Sequence, residues 1–338
     1  MVAEDLRPSR ILTSAAFENA ICLLMALGGS TNAIIHLVAI AGRVDLELPL
    51  SRFEEISCTT PVLANVKPSG KYLMEDFSYA GGVPAVLKEI ASQLHLEAAT
   101  ATGKTLGENI SRAACFNREV IKPFSQPLFP EGGLVVLGGN LAPHGAVIKQ
   151  SASSPHLLRH KGKAVVFENN RDLLARIDDP HLQVEEDSIL VLKNAGPKGA
   201  PGMPEWGHLP IPAKLLKAGV KDMVRLSDAR ISGTSFGTIV VHISPEAALG
   251  SALAIVKDGD EIELDVREKR LEVLLPEVEI KARLAQWTPP APHYSRGYGK
   301  VYLDHILQAH QGCDFDFLLG RDGDGATSPL TRFPNPGL

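Results

Sequence analysis

The chain has few cysteines and no way of pairing them by spacing. Cys22, Cys58, Cys115 and Cys313 are scattered over 338 residues, with no C-x-x-C and no zinc-finger spacing. This excludes a disulfide framework and a cluster held by a local cysteine motif. Cys22 falls inside an apolar helical pattern and reads as core. Long apolar runs are absent too. The longest, residues 33–41, is interrupted by His36 and is far short of a membrane span. There is no excess of positive charge: the formal net charge is −5, which leaves no electrostatic footprint for nucleic acid or an anionic membrane. The first residues lack the basic-then-apolar order of a signal peptide, so a cytoplasmic location is the default expectation.

The sequence does have enough chain for a sizeable core, with ordinary hydrophobic (44%) and charged (22%) fractions, and its length predicts two domains. Residues 13–43 read as two helices broken at Gly28-Gly29, with Ser30-Thr31-Asn32 supplying N-cap chemistry for the second. Residues 61–72 read as a loop and 85–94 as a helix. From Gly133 onward short β-rich runs dominate, at 134–137, 146–149, 164–167, 189–192, 223–226, 238–243 and 261–266. Helical patterns at 171–177 and 212–217 interrupt them, and a last helix is expected over 299–310. The predicted class is α/β: a partial helical α/β first domain, then a swivelling β-barrel-like domain with outer helices. The expected domains are 1–119, 131–288 and 289–338, with the proline-bearing stretch 120–130 as boundary and 321–338 as a frayed tail.

Two segments carry chemistry. Gly196-Pro-Lys-Gly-Ala-Pro-Gly-Met-Pro-Glu205 is too rich in Gly and Pro for helix or central strand, and delivers a carboxylate at its far end. After 27 residues a small-residue turn presents Ser232 within Leu226-Ser-Asp-Ala-Arg-Ile-Ser-Gly-Thr-Ser-Phe-Gly237. Glu205 is a candidate metal ligand, and Ser232 a candidate base or nucleophile. Alone, one carboxylate makes a weak Mg²⁺ site. Without a partner histidine or a G-x-S-x-G elbow, Ser232 does not make a hydrolase. A nearby cation would make it a credible base. Ser30, Thr31 and Asn32 open a helix whose N–H groups suit an anion such as a substrate carboxylate, or simply cap it. Gly103-Lys104-Thr105 lacks the first glycine of a phosphate loop. Asp322-Gly-Asp-Gly325 lacks the later glutamate of a calcium loop. The turn 138–145 links two strands, so it fails the dinucleotide fingerprint.

With these segments in view, the chain resembles the family of dihydroxy-acid, phosphogluconate and sugar-acid dehydratases. The resemblance rests on Leu27-Gly-Gly-Ser-Thr-Asn-Ala33, Lys67-Pro-Ser-Gly-Lys-Tyr-Leu-Met-Glu-Asp76, Gly139-Asn-Leu-Ala-Pro143 and the two segments above, in that order. Ser295-Arg-Gly-Tyr298 through Gln308-Ala-His-Gln-Gly-Cys-Asp-Phe-Asp-Phe317 resembles the pentonate branch. The resemblance implies loss of water from a 2,3-dihydroxy acid to give a 2-keto-3-deoxy acid. It also implies Mg²⁺ and an iron–sulfur cluster, 2Fe-2S or 4Fe-4S. Residue by residue it makes Glu205 a Mg²⁺ ligand, Ser232 the base and Thr234 a substrate contact. None of the four cysteines matches the family's cluster motifs, so the chain is expected to be a C-terminal portion that binds no cluster. It would then depend on an N-terminal part or a complementing subunit and be inactive alone, with homo-oligomers expected of the full-length form. The expected partner is a small sugar acid such as arabinonate or xylonate. The alternatives are a dihydroxy-acid dehydratase of branched-chain amino-acid synthesis, or a non-catalytic remnant. Helices within 16–41 are expected to leave apolar surface uncovered.

Overall fold

A computed structural model describes residues 1–320. The chain divides into two compact units, one of Met1–Leu134 joined by residues 318–320, the other of Val135–Phe317. The first unit is helical. Thr13 caps its central helix, Ser14–Leu27, by accepting the Ala16 N–H, and Gly28 ends it in the left-handed conformation with its N–H on the Leu24 and Met25 carbonyls. A second helix, Asn32–Arg43, follows, then Leu50–Thr59, Met74–Tyr79, Gly82–Glu89 and Leu106–Ile110. Phe17, Ile21, Met25, Ile34 and Phe53 form its buried interior. The expected uncovered face is not there: of the large apolar side chains in 16–41 only Ile40 is exposed. The helix read over 85–94 begins at Gly82, because Pro84 fits a first turn, where its missing N–H costs nothing. Gly103-Lys104-Thr105 is a capping box: Thr105 Oγ1 accepts the Glu108 N–H, and Glu108 accepts the Thr105 N–H.

The second unit is a mixed sheet of eight strands: β1 (Val135–Leu137), β2 (Ala146–Ile148), β3 (Arg159–Phe167), β4 (Ile189–Leu192), β5 (Arg225–Ser227), β6 (Ile239–Val241), β7 (Glu261–Asp265) and β8 (Arg270–Val273). Their order is β1-β2-β6-β5-β4-β3-β7-β8. The four central strands β6, β5, β4 and β3 are parallel, and antiparallel pairs flank them on both sides. The two edges meet. Gly138, just past β1, pairs with β8, its N–H on the Lys269 carbonyl and its carbonyl accepting from Leu271 at 2.7 Å. The sheet is thereby nearly closed into a barrel, and the α/β expectation holds.

The strands alternate between two apolar layers. Ala164, Val166, Ile189, Val191, Leu226 and Val240 join the barrel interior. Their neighbours Val165, Phe167, Leu190 and Leu192 pack on the opposite face with Leu173, Ile177 and Leu209. Burial on both faces explains the continuous apolar runs of the central strands. The helix read over 299–310 stops at His305. Ile306 leaves it to pair with Phe315, and Gly312 closes a separate short turn, Ala309–Gln311. The tail 321–338, with Asp322 and its neighbours, lies outside the described residues.

Barrel closure depends on Gly139. Its φ is +128°, and an added Cβ would stand 2.3 Å from the Leu271 carbonyl oxygen. Gly139→Ala is therefore expected to lose about 1–3 kcal/mol of stability in urea unfolding. A change within about 0.5 kcal/mol, the scale of an ordinary surface substitution, would contradict the closure.

Candidate active site

The Glu205 loop and the Ser232 turn have almost no regular structure, so their backbone groups need partners from elsewhere. Buried charged side chains provide them. Glu246 accepts the N–H groups of Lys198 and Gly199 and the side-chain amide of Gln308, at 2.6–3.0 Å. Asp228 accepts Ala195 N–H at one oxygen and Ala247 N–H at the other, both at 2.9 Å. Burial raises both carboxyls above the usual range. Glu246 beside it adds to the effect on Asp228, which is pushed up to about 7.

A second buried group joins the two segments. Arg225 donates to the carbonyls of His208 and Leu209, beyond Glu205, and to the carbonyl of Phe236 in the serine turn, each at 3.3 Å. Its partner Asp222 lies 2.9 Å away and accepts from Ser154 and Thr238. Burial pushes Asp222 up, but these hydrogen bonds and the Arg225 charge outweigh it and hold the carboxyl below its ordinary value. The loops also touch directly. Arg230 Nε donates to the Met203 carbonyl at 2.7 Å, and Gly207 N–H to the Arg230 carbonyl at 2.9 Å. Glu205 thus stands between two residues bonded to Arg230, which is two positions before Ser232.

Glu205 is exposed and Ser232 partly exposed. Ser232 Oγ lies 3.2 Å from Thr234 Oγ1. Besides Arg225, a second cation reaches the turn: Lys149 Nζ donates to the Gly233 carbonyl at 3.4 Å, and burial lowers the Lys149 pKa to about 8. Sequence reasoning did not single out Lys149, Asp222, Arg225, Asp228 or Glu246. The signal for Arg225 was present, since a charge inside an apolar strand run is rarely buried without a task.

Ser30, Thr31 and Asn32 belong to the first unit. Ser30 Oγ accepts the Asn32 N–H at 3.2 Å, while Thr31, the residue at the helix cap, makes no side-chain capping bond. Thr31 is buried.

Among the described residues no three His, Cys, Asp or Glu side chains are grouped to hold a metal ion. The four cysteines are free. Cys22 is buried in its helix, Cys58 is exposed, Cys115 donates to the Ile121 carbonyl, and Cys313 lies 3.3 Å from Met203 Sδ. Burial raises the Cys22 and Cys313 thiols, against the thiolate form a cluster needs. The described residues therefore do not fit an iron–sulfur cluster, and Glu205 alone does not complete a Mg²⁺ site. No helix among them is long and apolar enough to cross a membrane.

Competitive labelling of amines across pH is expected to give Lys149 a midpoint near pH 8, against 10.5 for an ordinary lysine. Burial favours the neutral amine, so reactivity should appear at lower pH. A midpoint near the ordinary value would show that the amine is solvated.

Residues 119–313 match the family model for the dihydroxy-acid/6-phosphogluconate dehydratase C-terminal domain, and residues 1–109 match that for the N-terminal domain. The matches thus cover both family domains rather than the C-terminal one alone. The chain is 51% identical over 326 residues to an L-arabinonate dehydratase of Rhizobium leguminosarum bv. trifolii (strain WSM2304), covering 96% of this chain and 56% of the relative. It is 46% identical over 321 residues to a 6-deoxy-6-sulfo-D-gluconate dehydratase of Pseudomonas putida (94% and 55%). To a dihydroxy-acid dehydratase of Ignicoccus hospitalis (strain KIN4/I / DSM 18386 / JCM 14125) it is 44% identical over 315 residues (92% and 56%). The chain spans about half the length of these relatives. With both domain models matched in order, the chain belongs to the dihydroxy-acid/6-phosphogluconate dehydratase family.

Proposed function

We propose that this chain carries the proton-abstracting part of a sugar-acid dehydratase acting on a pentonate such as arabinonate. The observation that supports the reading most is the lacing of the Glu205 loop to the Ser232 turn through Arg225 and Arg230. It places a carboxylate-bearing loop next to a hydroxyl-bearing turn. The identity to an L-arabinonate dehydratase supports the pentonate.

In this reading Ser232 Oγ, as alkoxide, removes the C2 proton of a 2,3-dihydroxy acid. The C2–H electron pair becomes the C2–C3 double bond, and the C3–O bond breaks. The departing hydroxide takes up a proton as water, and the enol rearranges to the 2-keto-3-deoxy acid. Thr234 Oγ1 directs the serine hydroxyl and contacts the acid. Mg²⁺, with Glu205 as one ligand, and an iron–sulfur cluster belong to the reading as cofactors of the whole enzyme. The described residues do not compose either site, and no step is assigned to them. The setting is cytoplasmic, and the partner is the portion of the enzyme that the chain does not match, in a homo-oligomer.

A second reading, a non-catalytic partner subunit, is favoured by one observation: burial holds Cys22 and Cys313 toward the thiol form. Turnover decides between the two. The chain is expressed with the portion of an L-arabinonate dehydratase that it does not match, and 2-keto-3-deoxy acid is measured. The expected result is dehydration of L-arabinonate that falls at least about 10²-fold in Ser232→Ala, the scale of general-base catalysis. Turnover that persists in Ser232→Ala would overturn the base, and no turnover at all would favour the partner subunit.

A further inference from the structure

We propose that Lys149 is a positioning residue for Ser232: it fixes the serine turn and supplies the positive charge that favours the alkoxide. The inference rests on the reading of Ser232 as base.

Lys149 follows the last residue of β2. Its neighbour Ile148 pairs with Val240 of β6, the strand into which the serine turn runs. The chain then bends through the short turn Gln150–Ala152 and comes back along the serine segment. Both ends of that segment are fastened to it. At one end Lys149 Nζ donates to the Gly233 carbonyl. At the other the Gly237 N–H donates to the Ala152 carbonyl at 3.0 Å, and Ser153 Oγ bonds the Lys149 carbonyl at 3.0 Å. The amine is therefore held by its own backbone anchor against the residue next to Ser232.

The charge is also uncommitted. Among the described residues no carboxylate pairs with Lys149. Asp222, the carboxylate on the neighbouring segment, is filled by Arg225, Thr238, Ser154 and Met223. Below its pKa of about 8 the side chain is an ammonium, so a cation sits beside the turn at neutral pH. A positive charge next to a hydroxyl stabilises the deprotonated form. The serine proton leaves to solvent before the cycle, and the alkoxide–ammonium pair then meets the substrate. After taking the C2 proton, Ser232 is a neutral hydroxyl again.

The test compares Lys149→Met, which keeps the stem and loses the charge, with Lys149→Arg, which keeps charge and donor. Both are read in the complemented enzyme with L-arabinonate and its C2-deuterated form. Lys149→Met is expected to lower kcat about 10²-fold, the scale of losing one fixed charge-stabilising group. KM should stay within about threefold, the isotope effect on kcat should rise as proton removal becomes limiting, and Lys149→Arg should recover about tenfold or more of the loss. A rise in KM with unchanged kcat would overturn the inference and make Lys149 a binder of the acid. A fall in kcat with no change in isotope effect, matched by a fall in melting temperature in both variants, would reduce it to a structural lysine. Turnover that depends on Ser232 and not on Lys149 sinks this inference alone. Turnover independent of Ser232 sinks the base reading beneath it.

Discussion

Buried carboxylates that accept backbone N–H groups are the interaction on which the site depends. Glu246 and Asp228 bind the start of the Gly/Pro loop, and Asp222 binds the far end of the serine turn. A loop of Gly and Pro cannot satisfy its own amides through a helix or sheet ladder, and amides left buried and unpaired are costly. A carboxylate offers several acceptor sites in one small group. One side chain therefore fixes two or three amides of a loop with no regular structure. Their burial raises Asp228 and Glu246, but each is surrounded by donors that favour the acceptor form.

The Arg225–Asp222 pair shows the same economy. A buried ion pair is weak evidence for net stability, because desolvation offsets much of the attraction. Its geometric effect is clearer. The guanidinium is a planar fork of five donors, and here it reaches carbonyls just past Glu205, in the serine turn and at Met223, two residues before β5. One rigid cation thus sets the spacing of two loops that lie far apart in sequence. Gly237, at φ +115° and packed against both Arg225 and Asp222, admits no side chain beside the pair.

Much of the fold was legible from the sequence. Six strands, and the second half of β3, were read within a residue or two, where apolar runs lie close to glycine turns. β8 was missed: Arg270–Val273 is short and alternates charged with apolar residues, as an antiparallel strand with one wet face does. The first half of β3 was missed because Arg159–Lys163 is polar and pairs with β7 through exposed residues. The helix Glu277–Gln286 has no buried residue, so it carries little apolar pattern. At the site, the loop and turn were visible as Gly- and Ser-rich segments. The residues that hold them were not, since a buried acid accepting N–H groups leaves no periodic trace. Lys149 was read only as the end of a strand.

The central claim is that Ser232 is the base facing the C2 hydrogen of a sugar acid. It is tested most directly by a crystal structure of the complemented Ser232→Ala enzyme holding L-arabinonate. The account predicts C2 within about 3–3.5 Å of the position that the serine oxygen vacates, the range of a near-attack geometry. An acid bound with its C2 hydrogen turned toward another side chain, or seated away from the 231–237 turn, would contradict it.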